Sequence, residues 1–277
     1  MKRNRWVAGP LLAAAIAALA ALQACSLFKP KPEPTAEENY RKGMEKFEAR
    51  KYQDAIPYFQ KIIENYPFSK YALDAELKIA ESYFLDKKYM EALVHLQGFE
   101  ELHPTNENLP YVIWMKGVSY FEQSSTIDRD ISSLENAERE FLKLQSRFPD
   151  NPYRQKGDPV LREVRARLAR HDYYVAKFYY RAAQYRPAIA RLEKIMTDYP
   201  DVEFKDRVLY CLGKSYFFLK ENERAKEAFE SLLAEYPQSR YSSKAREFLE
   251  DLEKGRFTIV SRYFRLKERV FGWFGYE

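Results

Sequence analysis

The side chains here that could do covalent or metal chemistry are two cysteines, three histidines and many carboxylates. Cys25 directly follows Leu22-Gln23-Ala24, at the end of an apolar run from Trp6 to Leu22. Lys2, Arg3 and Arg5 precede that run. A thiol so placed is a candidate for acylation and for becoming a new N-terminus. The other cysteine, Cys211, sits beside Leu212-Gly213 and reads as a small buried hydrophobe. His95, His103 and His171 have no metal-ligand spacing with one another or with a cysteine. No G-x-S-x-G, phosphate loop or Cys-His motif occurs. The 41 acidic residues are spread along the chain, so a chance pair of them singles out no cleft. The chemistry points away from an enzyme, with no catalytic residue, metal or cofactor expected.

The segment around Cys25 resembles a bacterial lipobox, in which the thiol is diacylated (palmitate being one such acyl group) and the chain cut before it. The competing reading is an uncleaved anchor helix. Gly9 and Pro10 interrupt the run, which is short for a span of about 20 residues. Ser26 follows the cysteine. In Gram-negative lipoproteins an aspartate there implies inner-membrane retention, so its absence favours the outer membrane. Cleavage removes Lys2, Arg3 and Arg5 and lowers the formal charge from +5 to +2. Nucleic acid is not an expected partner of so mild a charge. Cys211 is then the one thiol outside the acylated end, which excludes an intramolecular disulfide. Residues 26–35 read SLFKPKPEPT, and alternating prolines and charges favour an extended tether.

The elements that carry everything else are helical repeats. Five segments end on an aromatic or histidine followed by proline: Tyr66-Pro67, His103-Pro104, Phe148-Pro149, Tyr199-Pro200 and Tyr236-Pro237. An alanine lies twelve residues before each proline: Ala55, Ala92, Ala137, Ala188 and Ala225. Four residues after each alanine stands Phe59, Leu96, Phe141, Leu192 or Phe229. Upstream, a small residue marks each copy: Gly43, Ala80, Gly117, Ala176 and Gly213. This spacing resembles the tetratricopeptide pattern. Small residues let paired helices approach, large ones fill the space between them, and proline stops the helix. The predicted fold is all-α, a tetratricopeptide-repeat superhelix of five helix pairs plus a capping helix from about residue 240 to 254. The expected division is a signal peptide at 1–24, an acylated tether at 25–35, the repeats at 36–254 and a tail at 255–277.

Two copies carry extra length. In the third it lies between Tyr120 and Ala137 and contains Asp128-Arg129-Asp130. In the fourth it lies around 151–159, before a long helix expected from about 160 to 182. Such insertions are expected as loops.

The repeat register places one set of residues on the inward side of each first helix. Copies one and two give Glu37, Tyr40, Met44, Phe47 and Glu48, then Asp74, Leu77, Glu81, Phe84 and Leu85. Copy three gives Tyr111, Trp114, Val118, Phe121 and Glu122. Copies four and five give Arg170, Tyr173, Lys177, Tyr180 and Arg181, then Arg207, Tyr210, Lys214, Phe217 and Phe218. About half of these aromatics are expected to be accessible. The expected peptide groove is Tyr40, Phe47, Phe84, Tyr111, Trp114 and Phe121, able to hold an extended or helical segment by apolar burial. Arg170, Lys177, Arg181 and Arg207 favour a carboxylate-bearing partner.

Tyr66-Pro67-Phe68-Ser69 with Tyr71-Ala72, His103-Pro104-Thr105, Asp128-Arg129-Asp130 and the stretch Tyr179-Tyr180, Tyr185, Ala188, Arg191 occur in this order. Together with the lipobox they resemble the BamD family, also called YfiO or ComL, whose members are lipoproteins of the outer-membrane β-barrel assembly machinery. The resemblance implies a scaffold held by acyl chains on the periplasmic face of the outer membrane. It implies that the C-terminal repeats bind a BamA-type barrel subunit beside other assembly lipoproteins, and that the N-terminal repeats receive unfolded outer-membrane proteins. Arg191 matches a family arginine that pairs with the barrel subunit, and Asp128, Arg129 and Asp130 join it as candidate contacts. A tetratricopeptide lipoprotein acting as a pilotin or in cell-wall coordination shares the lipobox and the repeats, and is the alternative. The tail, GRFTIVSRYFRLKERVFGWFGYE, lies outside the resemblance. As a helix it would gather Val260, Tyr263, Phe264, Val270 and Phe271 opposite Arg262, Arg265 and Arg269. That suits a partner groove, a membrane interface or a second cap.

Overall fold

The computed structural model describes residues 33–124 and 131–255. Among them are eleven α-helices and no strand. They are α1 Ala36–Glu48, α2 Tyr52–Asn65, α3 Ala72–Leu85, α4 Tyr89–Leu102, α5 Leu109–Gln123, α6 Ser132–Arg147, α7 Pro152–Arg181, α8 Tyr185–Asp198, α9 Lys205–Leu219, α10 Asn222–Glu235 and α11 Ser242–Lys254. The chain divides into two compact units, up to residue 78 and from 79 onward, and α3 runs across the division. The signal segment, Cys25, Asp128, Arg129, Asp130 and the tail beyond 255 lie outside the described residues.

In the first unit, Thr35 starts α1. Its hydroxyl accepts from the Glu38 N–H at 3.2 Å, while the Glu38 carboxylate accepts from the Thr35 N–H at 3.3 Å. This capping box satisfies two donors that the first turn leaves unpaired. The Pro34 carbonyl accepts from Asn39 and from the Tyr66 hydroxyl, which fixes where the chain enters. Tyr40 stacks on Tyr71 at 4.8 Å and donates its hydroxyl to Asp74.

The turns within and between helix pairs have different recipes. Each aromatic or histidine before proline is a non-helical C-cap with φ between −127° and −137°. Its N–H still closes the last helical turn, as Tyr66 to Ile62 at 2.8 Å and Tyr236 to Leu232 at 2.8 Å. Proline forbids the helical region to the residue before it, so the helix stops there. Within pairs, Arg50, Lys87, Ala183 and Lys220 hold equivalent left-handed positions, with φ between 58° and 64°. The next N–H reaches back five residues, as Lys51 to Lys46 and Glu221 to Tyr216, both near 3 Å. This is the Schellman closure, here made without glycine.

The small upstream position has a steric cause. A Cβ added at Gly43 would lie 2.7 Å from the Phe59 ring, at Gly117 2.7 Å from Phe141, and at Gly213 2.6 Å from Phe229. Where the sequence has alanine instead, at Ala80 and Ala176, the partner position holds the narrower Leu96 and Leu192. All ten of these side-chain positions are buried.

The extra length of copy four is not a loop. Helix α7 begins at Pro152, not near 160, and absorbs it. Asn151 caps the start by accepting from the Tyr153 N–H at 2.9 Å, and Pro152 occupies the first helical position, where a missing N–H costs nothing. Gly157 lets the added turns close on the Phe141 ring, 2.9 Å from where its Cβ would stand.

Helix α11 covers the last pair. Phe248 stacks on Phe229 at 5.2 Å and meets Phe217 edge-on at 5.0 Å. Burying a phenyl ring contributes about 1.5–3 kcal/mol. Cys211 is buried and takes part in no disulfide among the described residues.

Candidate protein-binding site

The predicted groove aromatics are all half-buried and engaged with neighbours. Phe47 meets Tyr52 edge-on and lies under Lys78. In the second unit, Phe84, Tyr111, Trp114 and Tyr153 form one aromatic cluster with ring centroids 4.8–6.0 Å apart. Burial and then the neighbouring Glu81 push the Tyr111 phenol up from its ordinary range. Arg167 covers Phe121, its guanidinium 4.6 Å from the ring centre. None of the inward aromatics stands exposed. Leu77, Glu81, Tyr180, Tyr210, Lys214 and Phe217 are core, with the Lys214 ammonium lying over Tyr180 and Tyr210. Among the described residues the exposed aromatics are instead Phe68, Tyr174 and Phe178. The repeat register did not place them on the inward side.

The basic candidates divide by helix. Arg181 and Arg207 are exposed, on α7 and α9. Arg170 is half-exposed and lies 3.6 Å from Glu163, which also holds Arg167 at 2.9 Å. Lys177 is half-buried on the same helix. A cleft of about 350 Å³ beside α7 is walled by Pro159, Arg162, Arg165, Arg170, Tyr199 and Val202. Glu163, Asp201 and Glu203 also line it.

Arg191 has an internal role. Its guanidinium bonds Asp172 at 2.7 Å, and Lys194 takes the other oxygen of the same carboxylate at 2.7 Å. Asp172 is only 2% exposed, whereas Arg191 is 43% exposed. A buried carboxylate needs such partners. The accessible part of Arg191 remains free to meet a second acid, because guanidinium has five donors. Arg191→Glu is therefore expected to lower stability by about 1–3 kcal/mol, below the cost of fully breaking a buried pair because Lys194 stays. Urea unfolding measures this, and an unchanged midpoint would show that Lys194 alone satisfies Asp172.

A second ionic group links three helices. Lys116 of α5 is 2% exposed and lies 2.8 Å from Glu100 of α4 and 3.0 Å from Glu140 of α6. Gln97 also accepts from its ammonium at 2.8 Å. Lys143 adds contacts to Glu100 at 2.6 Å and to Glu140 at 3.3 Å. Burial alone pulls the Lys116 ammonium down, but the two glutamates outweigh it and hold it above its ordinary value. Burial likewise pushes the Glu100 carboxyl up, and Lys116 and Lys143 reverse that, leaving it depressed. This cluster fixes α4, α5 and α6 against one another.

Among the described residues no group of histidine, cysteine and carboxylates could hold a metal ion, and no helix is long and apolar enough to cross a membrane. The geometry is that of paired helices exposing selected aromatic and basic side chains. Residues 32–228 match the family model of YfiO, described as an outer membrane lipoprotein. The chain belongs to the YfiO family. Among curated proteins, it is 29% identical over 206 residues to the outer membrane protein assembly factor BamD of Rickettsia prowazekii, covering 74% of this chain and 82% of that one. The BamD of Pasteurella multocida is 27% identical, covering 74% and 83%, and that of Caulobacter vibrioides 24%, covering 86% and 80%. The YfiO match takes in both ionic groups and all of α7, and stops before α11 and the tail.

Proposed function

We propose that this chain is a non-enzymatic scaffold of outer-membrane protein assembly. Membership of the YfiO family over residues 32–228 is the observation that carries this reading. In it, Cys25 is acylated and holds the repeats on the periplasmic face of the outer membrane. The later repeats, with Arg170, Lys177, Arg181, Arg191 and Arg207, bind a BamA-type barrel subunit alongside other assembly lipoproteins. Asp128, Arg129 and Asp130 contribute to that contact. The earlier repeats, with Tyr40, Phe47, Phe84, Tyr111, Trp114 and Phe121, receive unfolded outer-membrane protein segments. The half-buried state of those aromatics supports shallow, adaptable contacts rather than deep pockets.

Anchoring and folding are separable in this account. The first repeat helix is started by the Thr35 capping box, ten residues along the chain from Cys25. Cys25→Ala should leave the melting temperature unchanged and lose the outer-membrane fraction, since each buried acyl CH₂ contributes about 0.8 kcal/mol to membrane binding. Fractionation of the variant with the outer membrane at wild-type level would overturn the lipid anchor.

A further inference from the structure

Tyr174 and Phe178 are 60% and 64% exposed, one helical turn apart on α7. Two aromatics left in water on a helix whose other side is core mark a contact surface. Their row extends further. Residues four apart form a continuous ridge on a helix, and counting back from Phe178 gives Tyr174, Arg170, Ala166 and Arg162. Arg162, Ala166 and Arg170 all line the 350 Å³ cleft beside α7. The ridge and the cleft are thus one surface, about 24 Å long at 1.5 Å per residue. Arg181 lies on the next turn and is exposed. The nearest carboxylate on this helix, Glu163, is already held by Arg167 and Arg170. Asp172 points the other way, buried against Arg191 and Lys194. The aromatic pair is therefore flanked by Arg170 on one side and Arg181 on the other, while the cleft end of the ridge is mixed in charge, Asp201 and Glu203 joining Arg162 and Arg165 in its lining.

We infer that this ridge, with Tyr174 and Phe178 as anchors, is where the assembly partner docks, and that the partner presents carboxylates around an apolar socket. The inference rests on the proposed binding of a barrel subunit and names the surface that does it. Tyrosine and arginine are the residue types that most often dominate such contacts, with the aromatic central and the charges at the rim. Arg170 and Arg181, on either side of the aromatics, steer encounter and set the salt dependence, while the aromatics set the lifetime of the complex. The tail is an unsuitable occupant, since it carries Arg262, Arg265 and Arg269 and would place like charges on the ridge.

The test titrates the full chain with the purified periplasmic domains of the barrel subunit of the same bacterium. Tyr174→Ser and Phe178→Ser should each weaken binding at least about tenfold, as loss of a hot-spot side chain does, with melting temperatures unchanged because both side chains are exposed. Arg181→Glu should flatten the dependence of affinity on salt. If the wild type binds and the double variant Tyr174→Ser/Phe178→Ser binds within twofold of it, the inference is wrong and the proposed function stands. If the wild type does not bind, the proposed function fails and the inference with it. If the double variant instead loses only its association with phosphatidylglycerol vesicles, the ridge is a membrane surface and the inference is overturned.

Discussion

Lys116→Met should lower stability by about 3–5 kcal/mol, the usual cost of removing one partner from a buried ionic group. The ammonium is 2% exposed, and methionine fills its volume while leaving Glu100 and Glu140 facing each other. Lys143 reaches both carboxylates but is itself 28% exposed, so it compensates only in part. The melting temperature should fall by roughly 10 °C, at 2–4 °C per kcal/mol for a chain of this size. Adding Glu100→Gln and Glu140→Gln should restore most of the loss, because the uncompensated charges, not the missing contact, cause it. Failure of the triple variant to recover would show that packing of the lysine stem matters more. The pH dependence has a defined sign. Glu100 is depressed in the fold, so its contribution is present above the unfolded carboxyl range and disappears as pH falls through its folded value. Lys116 is raised, so its contribution is complete below the unfolded lysine value and is lost as pH rises through the folded one. Lys116→Met should weaken both limits.

Gly213→Ala should cost about 1–3 kcal/mol through overpacking. The new methyl would meet the Phe229 ring at 2.6 Å. That ring cannot swing aside, since it is stacked on Phe248 and flanked by Tyr210. Copies two and four of the repeat show the accommodation: alanine there accompanies leucine. Gly213→Ala/Phe229→Leu should therefore lose less than the sum of the two single changes, a coupling that a double-mutant cycle reads directly. Strict additivity would show that the repeat-to-repeat exchange of Gly-Phe for Ala-Leu has no steric basis.

The fold was legible because its determinants are local. Tyr66, His103, Phe148, Tyr199 and Tyr236 are each followed by proline, and proline acts on its immediate neighbour, so the helix ends could be read directly. Ala137 and Phe141 marked a buried face by spacing alone. The within-pair turns were not legible, because Arg50, Lys87, Ala183 and Lys220 hold left-handed positions where sequence leads one to look for glycine. The length around residues 151–159 reads as a loop because insertions in repeats ordinarily form loops. Pro152 is harmless at a helix start, and the Gly157 notch for Phe141 is a tertiary feature. The contact face was harder still. Tyr173, Tyr174, Phe178, Tyr179 and Tyr180 are alike in type, and only the packing of α7 decides that Tyr180 is core while Tyr174 and Phe178 stand in water. Arg191 resembles a partner-facing arginine in sequence, and nothing local reveals that it also supports the buried Asp172.

The central claim is that these repeats dock the barrel-assembly subunit at the outer membrane. Site-specific photocrosslinking in living cells, from a benzoylphenylalanine placed at position 178 of the full-length lipoprotein, tests it most directly. The crosslinked partner is then identified by mass spectrometry. The account predicts one dominant product containing the barrel subunit, lost when Cys25→Ala removes the chain from the membrane. A dominant product with a secretin or a cell-wall protein, and none with the barrel subunit, would contradict it.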